Sequence, residues 1–352
     1  MTLAESLPWS WYSDPEVYRR EQERIFRRTW QYACHTGLLP DPGSFVACRA
    51  GDVPVVVVRD EAGTLRAFLN VCRHRGSLLV EGEGRRRSLQ CPYHAWTYGL
   101  DGGLRAAPRS EREPGFSADE LSLVPVGVGT WGPFVFVNPD SDSTPLAEAL
   151  GELPELVARA GVDVDALEFR LRAPFALEAN WKVACENFLE CYHCAVAHPG
   201  FSAVLDVAPD AYVLEETSDL LSTQYAPVRA GVASGGYDPS GPIVSGQFHF
   251  LWPNLKVNVA PGQPNLSLGP VLPAGPGRTE GFLDYFFAPD VDEGWIGELL
   301  AWDDQVGAED AVLVARVQQG VSSDVLREGR LLAESERLIG HFDRLVLEAL
   351  GG

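Results

Sequence analysis

The sequence predicts an α+β protein, in which a compact β module is followed by an antiparallel sheet and helices. Short β-type runs separated by turn residues fill about residues 42–138. Beyond residue 139, apolar residues alternate as they do in antiparallel strands. The chain ends in two helical stretches, about 292–318 and 323–349, and an amphipathic helix over 15–31 comes before both regions.

Bulk properties limit the class of protein and its partners. A chain of 352 residues with 45% hydrophobic residues is long enough for two globular domains. The net charge of -21 argues against nucleic acid as a partner, because phosphate binding needs a basic face. The sequence contains no run of about 18 apolar residues, so no membrane span is expected. The N-terminus lacks the basic start and apolar core of a signal peptide, so we expect a cytoplasmic protein.

The β module begins with a predicted hairpin. Residues 54–59 and 64–70 read as strands, and Gly63 stands in the turn between them, where a positive φ is needed. Residues 132–138 read as the last strand of the module. The polar, turn-rich segment 140–145 then predicts a domain boundary.

Two short motifs inside this module pair a cysteine with a histidine. Cys72 and His74 form the first pair, and Cys91 and His94 form the second. Two thiolates and two imidazoles are the ligand set of a Rieske [2Fe–2S] cluster. A zinc finger usually groups a Cys pair before a His pair, so the mixed pairs favour the cluster over structural zinc or coincidence.

The remaining cysteines are interpreted as small buried residues. The total of seven is odd and the chain looks cytosolic, so a disulfide framework is not expected. Cys191 and Cys194 have the spacing of a zinc or redox pair, but on a helix they would straddle His193 and pack. The cysteines outside the cluster motif are Cys34, Cys48, Cys185, Cys191 and Cys194.

A second dense group of polar residues lies on a predicted helix over 181–193. Glu186, Glu190 and His193 are spaced by four and three residues, which places them on one stripe of the helix. Asn187 lies beside Glu190 on this surface. We interpret Glu190 as a residue that positions a metal ligand or passes protons and electrons.

His198 must lie outside this helix if it is to meet His193. It is five residues further on, and the proline after it, Pro199, disfavours helical geometry. A bend there could bring the two imidazoles together. Two histidines and one carboxylate form the facial triad of non-haem Fe(II) oxygenases. Asp310 is the preferred third ligand and Glu309 the alternative.

With both motifs in hand, the chain resembles the catalytic (α) subunits of Rieske non-haem iron oxygenases of the ring-hydroxylating type. Two independent metal motifs in the same order carry the resemblance, which extends over nearly the whole chain. The matching segments are 26–30, 67–76, 91–98, 180–182, 186–199, 309–310 and 317–320.

The resemblance implies an all-β Rieske domain inserted in a catalytic domain of helix-grip (START-like) fold, with an antiparallel sheet curled around a long helix. The predicted boundaries are 1–41 for an N-terminal helical segment packing on the catalytic domain, 42–138 for the Rieske domain and 139–352 for the catalytic domain. A head-to-tail homotrimer is implied as well, in which an acidic residue bridges a cluster histidine and an iron histidine of adjacent subunits. Here that residue is Glu190, as in the branch of quaternary-amine demethylases.

The implied activity is that of a terminal oxygenase. It would use O2 and electrons from NAD(P)H, delivered by a separate flavin reductase or a ferredoxin, since no Gly-rich dinucleotide motif follows a strand. Hydroxylation or oxidative demethylation of a small organic substrate is the preferred reaction. An aromatic-ring dioxygenase, a natural-product tailoring oxygenase and a Rieske electron-transfer protein are the alternatives. The aromatic candidates for the substrate pocket are Tyr212, Phe248, Phe250, Trp252, Tyr285 and Trp302.

Overall fold

A computed structural model describes residues 4–231, 236–323 and 325–351. The chain divides into two compact units. One consists of residues 22–149, and the other combines the chain up to residue 21 with residues 150–352. The first unit is thus inserted in the second, as the fold prediction requires.

The secondary structure mixes many short strands with a few helices. The strands are β1 (Ala4–Glu5), β2 (Gln31–His35), β3 (Ser44–Ala50), β4 (Val53–Arg59), β5 (Leu65–Leu69), β6 (Glu83–Arg85), β7 (Leu89–Gln90), β8 (Thr97–Tyr98), β9 (Leu104–Ala106), β10 (Pro125–Trp131), β11 (Phe134–Asn138), β12 (Glu168–Leu177), β13 (Val213–Glu216), β14 (Leu221–Pro227), β15 (Ser245–Leu251), β16 (Leu255–Val259), β17 (Asn265–Gly275), β18 (Arg278–Phe287) and β19 (Arg330–Leu331). The α-helices are α1 (Pro15–Glu21), α2 (Leu146–Leu150), α3 (Leu153–Arg159), α4 (Trp181–Phe188), α5 (Cys194–Ala197), α6 (Pro199–Val204), α7 (Glu293–Val321) and α8 (Arg337–Leu350). Short 3₁₀ helices cover Trp9–Tyr12, Thr36–Leu38, Ser110–Arg112, Asp119–Leu121 and Val164–Ala166, and a π-helix covers Gln22–Phe26.

The inserted unit is built on a seven-stranded antiparallel sheet in the order β2-β11-β10-β5-β4-β3-β6. The predicted hairpin is confirmed as β4 and β5, and Gly63 in its turn has a φ of +83°. Asp60 stabilises this turn, since its Oδ1 accepts hydrogen bonds from the N–H groups of Ala62 and Thr64. A smaller sheet, β7-β8-β9, carries the second cysteine–histidine loop at its edge.

The start of the inserted unit differs from the prediction. The helix expected over 15–31 ends at Phe26, so only residues 15–26 of this segment are helical. Gln31 instead opens strand β2, which pairs with β11. Residues 22–41 therefore belong with the β module, although the sequence had assigned them to the N-terminal helical segment.

The second unit contains a seven-stranded antiparallel sheet in the order β12-β18-β17-β16-β15-β14-β13. Burial alternates along β16: Leu255, Val257 and Val259 are buried, whereas Lys256 and Asn258 on the other face are half-buried. The long helix α7 packs against β12 and α4. The second C-terminal helix is shorter than expected, since α8 begins only at Arg337.

Helix α4 is fixed by a buried network that reaches residues close to the N-terminus. Lys182 forms an ion pair with Glu21, and neither side chain is exposed. The indole N–H of Trp181 donates to Glu21 at 2.8 Å, and Tyr12 donates to Glu186 at 2.6 Å. Burial raises the pKa of Glu186 to about 7, although the hydrogen bond from Tyr12 and the positive charge of Lys182 act in the opposite direction.

None of the helices in the described ranges combines the length and apolar character needed to cross a bilayer.

Candidate metal centres and substrate cavity

The two cysteine–histidine loops of the inserted unit share one backbone conformation. In each loop the cysteine N–H donates, at 2.8 Å, to the carbonyl five residues later. The cysteine carbonyl accepts from the N–H four residues later, at 3.0 Å from Gly76 and 3.1 Å from Ala95. Gly76 and Ala95 both have positive φ, +74° and +57°. The repeated turn presents both cysteines in the same way, as two half-sites of one centre require.

The four predicted cluster ligands come together in these loops. Cys72 and Cys91 are each 2% exposed, and the rings of His74 and His94 are 4.6 Å apart. Among the residues that the structure describes, none forms a hydrogen bond with the buried Nδ1 atom of His94. A buried imidazole nitrogen without a partner is costly unless it binds something, so this atom fits a metal ligand. Trp96 stacks on His74 at 4.8 Å and covers the centre.

Hydrogen bonds around the sulfur atoms favour negative charge. Burial alone would raise the pKa of Cys91, but the N–H groups of Tyr93 and His94 and the neighbouring Cys72 outweigh it and lower that pKa. Tyr98 places its hydroxyl 3.4 Å from the sulfur of Cys72. Thiolates are the form that ligates iron, so the surroundings suit a [2Fe–2S] cluster.

The second group of ligands converges on one point. His193 Nε2 and His198 Nε2 are 2.9 Å apart, and Asp310 Oδ1 lies 3.0 Å from His198 Nε2 and 3.5 Å from His193 Nε2. Neighbouring ligands about 2.1 Å from an octahedral metal ion lie about 3 Å apart. The spacing therefore fits three ligands on one face of a metal ion.

The far side of each imidazole contacts a carboxylate. Glu190 Oε1 contacts Nδ1 of His193, and Glu309 Oε2 lies 2.8 Å from Nδ1 of His198. A carboxylate at Nδ1 keeps the proton on that nitrogen and leaves the Nε2 lone pair free for a metal. The geometry also separates the two candidates for third ligand: Asp310 faces the convergence point, whereas Glu309 lies behind His198.

Electrostatics favour a positive charge at the convergence point. Burial would lower the pKa of His193, but its contacts with Asp310 and Glu190 outweigh this and raise the pKa to about 9. Burial would likewise raise the pKa of Asp310, and the two imidazoles instead hold it well below its usual range. The donor set of two imidazoles and a carboxylate thus suits a divalent iron.

The connection between α4 and α5 differs from the predicted helix. Helix α4 ends at Phe188, so Glu190 and His193 do not share a helical stripe. Their contact comes from a turn, in which the carboxylate of Glu190 accepts the His193 N–H at 3.2 Å. The interpretation of Cys191 and Cys194 as packed thiols was wrong, since they form a disulfide with Cα atoms 4.9 Å apart. The bond closes the turn that carries His193 between α4 and α5.

His198 lies between α5 and α6, outside either helix body, as expected from Pro199. The bend at this residue directs its ring back to His193. Asn187, near the end of α4, was expected beside Glu190. It instead donates from Nδ2 to Asp310 Oδ1 at 3.1 Å, so it orients that carboxylate.

The triad opens into a cavity of about 700 Å³ between the sheet and α7. Of the predicted aromatic candidates, Tyr212, Phe248, Tyr285 and Trp302 line it. Phe250 and Trp252 do not: they pack on Phe342, Phe188 and Trp181 in the core. Sequence reasoning missed the wall contributed by β12, which supplies Leu171, Ala173 and Phe175. The alternation of arginine with apolar residues over 170–173, which is typical of a strand with one buried face, was the available sequence signal.

An aromatic cluster begins close to the triad. The ring of Phe201 is 6.4 Å from that of His198 and stacks on Trp302 at 5.4 Å. Phe248 lies 5.7 Å from Phe201. On the same helix as Trp302, the carboxylate of Asp303 accepts a hydrogen bond from the hydroxyl of Tyr285, and burial raises the pKa of Asp303.

Comparisons with known proteins identify the families of both domains. Residues 29–125 match the Rieske [2Fe–2S] domain family, and residues 159–352 match the catalytic domain of the ring-hydroxylating α subunit. A chloroplastic choline monooxygenase from Amaranthus tricolor is 35% identical over 95% of this chain and 75% of its own. The oxygenase subunit of a carnitine monooxygenase from Acinetobacter pittii (strain PHEA-2) is 32% identical over 98% of this chain and 95% of its own.

Solved structures extend the likeness to the fold. A crystal structure of the quaternary ammonium Rieske monooxygenase CntA in complex with an inhibitor has a TM-score of 0.88 and 31% identity, over 99% of this chain and 96% of that one. Naphthalene 1,2-dioxygenase from Rhodococcus sp. shares the fold at 20% identity, with a TM-score of 0.79 over 98% of this chain and 94% of that one. The chain therefore belongs to the Rieske non-haem iron oxygenases with a ring-hydroxylating α-subunit catalytic domain, and it is the terminal oxygenase component of such a system.

Proposed function

We propose that this oxygenase oxidises a small quaternary ammonium compound, by demethylation or by hydroxylation next to the nitrogen. The observation that carries the proposal is the aromatic cluster of Phe201, Phe248 and Trp302, which begins 6.4 Å from the ring of His198. Aromatic faces attract ammonium cations that are too substituted to donate hydrogen bonds. The carboxylate of Asp303 adds an opposite charge to the same cavity.

The assignment of ligands follows the geometry of the two centres. Cys72, His74, Cys91 and His94 would hold the [2Fe–2S] cluster, and His193, His198 and Asp310 would hold the mononuclear iron. When bound, the cluster would supply electrons one at a time and the iron would bind and activate O2 beside the substrate.

The chain's own residues prepare this site. Glu190 and Glu309 hold the Nδ1 protons of the two histidines, which keeps the Nε2 lone pairs directed at one point. Asn187 holds Asp310 in the orientation needed to complete the triad. The aromatic cluster excludes water from one side and orients the ammonium group with a methyl or methylene carbon toward the triad.

Electrons would come from outside the chain. The proposed donor is NAD(P)H through a separate reductase, with or without a ferredoxin, and the relative named as an oxygenase subunit supports a multicomponent system. Within a homotrimer, Glu190 would connect the iron histidine to the cluster of the adjacent subunit. The exposed side chains of Tyr192 and Val196 beside this turn, 64% and 88% accessible, fit a surface that another subunit covers.

Turnover with a generic reductase tests the substrate class. We expect about three irons per chain and oxidation of choline, carnitine or a related betaine, with formaldehyde release marking demethylation. The carbon analogue 3,3-dimethylbutanol, which has the shape of choline without the charge, should be a much poorer substrate. Oxidation of naphthalene with no turnover of any ammonium compound would refute the proposal and favour a ring dioxygenase.

A matched pair of variants separates cation binding from general packing. Trp302→Leu should raise the KM for the ammonium substrate about 3- to 30-fold, the range of a desolvated cation–π contact. It should change the KM of the neutral analogue much less. Phe169→Leu, which replaces an exposed aromatic ring outside the cavity, should alter neither value.

A further inference from the structure

The chain uses lysine in a highly selective way. Of its 28 basic side chains, only Lys182 and Lys256 are lysines, and the remaining 26 are arginines. Both lysines lie in the second unit and neither is exposed. The exposed Lys/Arg positions are thus all arginines. Lysine is rarely buried unless it is paired, so the surroundings of each lysine are informative.

Lys182 has a complete set of partners. Its ammonium group forms an ion pair with Glu21 and donates to the carbonyl of Trp11 at 3.0 Å. The ring of Tyr12 lies 5.1 Å from it. This lysine is a structural residue of the network that fixes α4.

Lys256 has no such partners. It is on β16, on the face of the sheet that lines the cavity. Its Nζ lies 5.0 Å from the ring centre of Phe175 and 5.6 Å from that of Phe188. Among the residues that the structure describes, Lys256 forms no ion pair and no hydrogen bond. The ammonium group of half-buried Lys256 thus contacts aromatic rings but lacks a hydrogen-bonding or ionic partner, so its cavity-facing side can bind an anionic group.

The cavity offers this ammonium group no competing cation. Within the described ranges, Lys256 is the sole lysine or arginine of the lining, and the carboxylates of Asp303 and Asp310 are part of the same lining. Burial lowers the pKa of Lys256, and these two carboxylates oppose that effect. A bound anion would oppose it further.

The aromatic cluster and Lys256 occupy different parts of the cavity wall. The aromatic cluster is carried by α6, α7 and β15, through Phe201, Trp302 and Phe248. Lys256 instead contacts β12 and the end of α4, through Phe175 and Phe188. A ligand with an ammonium group at the cluster could therefore extend a second group toward Lys256.

We propose that Lys256 binds a carboxylate of the substrate, so that the physiological substrate is a zwitterion with both an ammonium and a carboxylate group. The ammonium half of this inference rests on the proposed function, whereas anion binding by Lys256 does not. The competing explanation is that Lys256 only balances the charges of Asp303 and Asp310, in which case it would not distinguish between substrates.

Two substrates that differ only in the carboxylate group distinguish anion binding from charge balance. We compare 4-(trimethylammonio)butanoate with the corresponding alcohol, 4-(trimethylammonio)butanol, in the intact oxygenase with its reductase. In Lys256→Met, the ratio of kcat/KM for the carboxylate to that for the alcohol should fall about 10- to 100-fold, as expected for a lost hydrogen bond to a charged group. Lys256→Arg should retain much of the ratio. An unchanged ratio would refute the proposal and favour charge balance.

Amine labelling supplies a readout that does not depend on turnover. An amine-reactive reagent, followed by peptide mass spectrometry, should modify Lys256 in the holoenzyme and leave the buried Lys182 unmodified as an internal control. Sodium butyrate and the ammonium carboxylate should protect Lys256, whereas the ammonium alcohol should not. Protection by butyrate in an enzyme that oxidises no ammonium compound would refute only the proposed function. Equal labelling with and without carboxylates would refute the anion site.

Discussion

The two candidate metal centres of this protein are built in opposite ways. The cysteine–histidine centre uses two adjacent loops within residues 72–94, each closed by the same backbone hydrogen bonds. The triad draws on segments far apart in the chain, since 112 residues separate His198 from Asp310. The first centre therefore depends on local turn geometry, and the second depends on the packing of α4, α6 and α7.

Their surroundings differ as well. Backbone N–H groups and the hydroxyl of Tyr98 surround the sulfur atoms of the first centre. Carboxylates lie behind both imidazoles of the second, through Glu190 and Glu309. The loop centre stabilises thiolates by hydrogen bonding, whereas the triad fixes its imidazoles with negative charge. Disturbing one set of contacts should leave the other centre intact.

The largest expected effect comes from removing the third ligand of the triad. Asp310→Ala should lose the mononuclear iron and at least about 10³-fold in turnover, because two imidazoles alone hold the metal weakly. The visible absorption of the cluster should remain. Asp304→Ala, on the same helix and outside the triad, should retain iron. Loss of the cluster from Asp310→Ala would contradict the independence of the two centres.

A smaller effect is expected where the long-range packing of α4 is weakened. Glu21→Gln leaves Lys182 buried without its counter-ion, which should destabilise the second unit by about 3–5 kcal/mol. Calorimetry should show a lower Tm for that unit and an unchanged cluster spectrum at low temperature. As a control, Glu16→Gln removes an exposed partner of Arg19 and should not move the transition. Equal Tm values for both variants would show that the buried pair does not hold α4.

Removing the carboxylate behind His198 should have a more moderate consequence. Glu309→Gln should weaken iron binding about 10- to 100-fold, since it changes the group that fixes the ring and its proton. Competition with a chelator measures this constant directly. Glu298→Gln, an exposed change on the same helix, provides the control. If Glu309→Gln abolished iron binding as fully as Asp310→Ala, Glu309 would be needed to hold the iron and not only to orient His198.

The smallest expected effect concerns the sulfur atoms of the loop centre. The hydroxyl of Tyr98 accepts from the N–H of Arg73 at 3.0 Å, so its own proton is free to point at Cys72. Tyr98→Phe should make the cluster potential more negative by some tens of millivolts, because a hydrogen bond to sulfur favours the reduced state. Protein-film voltammetry gives the value, and Tyr93→Phe, whose exposed hydroxyl does not contact the sulfur, should leave it in place. A positive shift would show that the hydroxyl does not donate to Cys72.

This contrast also explains how much the sequence could predict. The loop ligands and the β4–β5 hairpin depend on residues close in sequence, and pattern reasoning located them. The end of α4 at Phe188 could not be predicted, because tertiary contacts stop a helix whose residues would otherwise continue it. The Cys191–Cys194 bond was missed because an odd number of cysteines and a chain that looks cytosolic argued against any disulfide. That Lys256 has no hydrogen-bonding or ionic partner among the described residues depends on the placement of all its neighbours, which no local sequence pattern contains.

The placement of the two lysines makes the native chain a poor substrate for a lysine-specific endoproteinase. Such an enzyme can cut only after Lys182 and Lys256, in a helix and in a central strand that must open first. The fragment up to residue 182 retains every residue of the inserted unit. The rate of cleavage would therefore measure how fast the second unit opens. The visible absorption of the cluster would show at the same time whether the inserted unit remains folded.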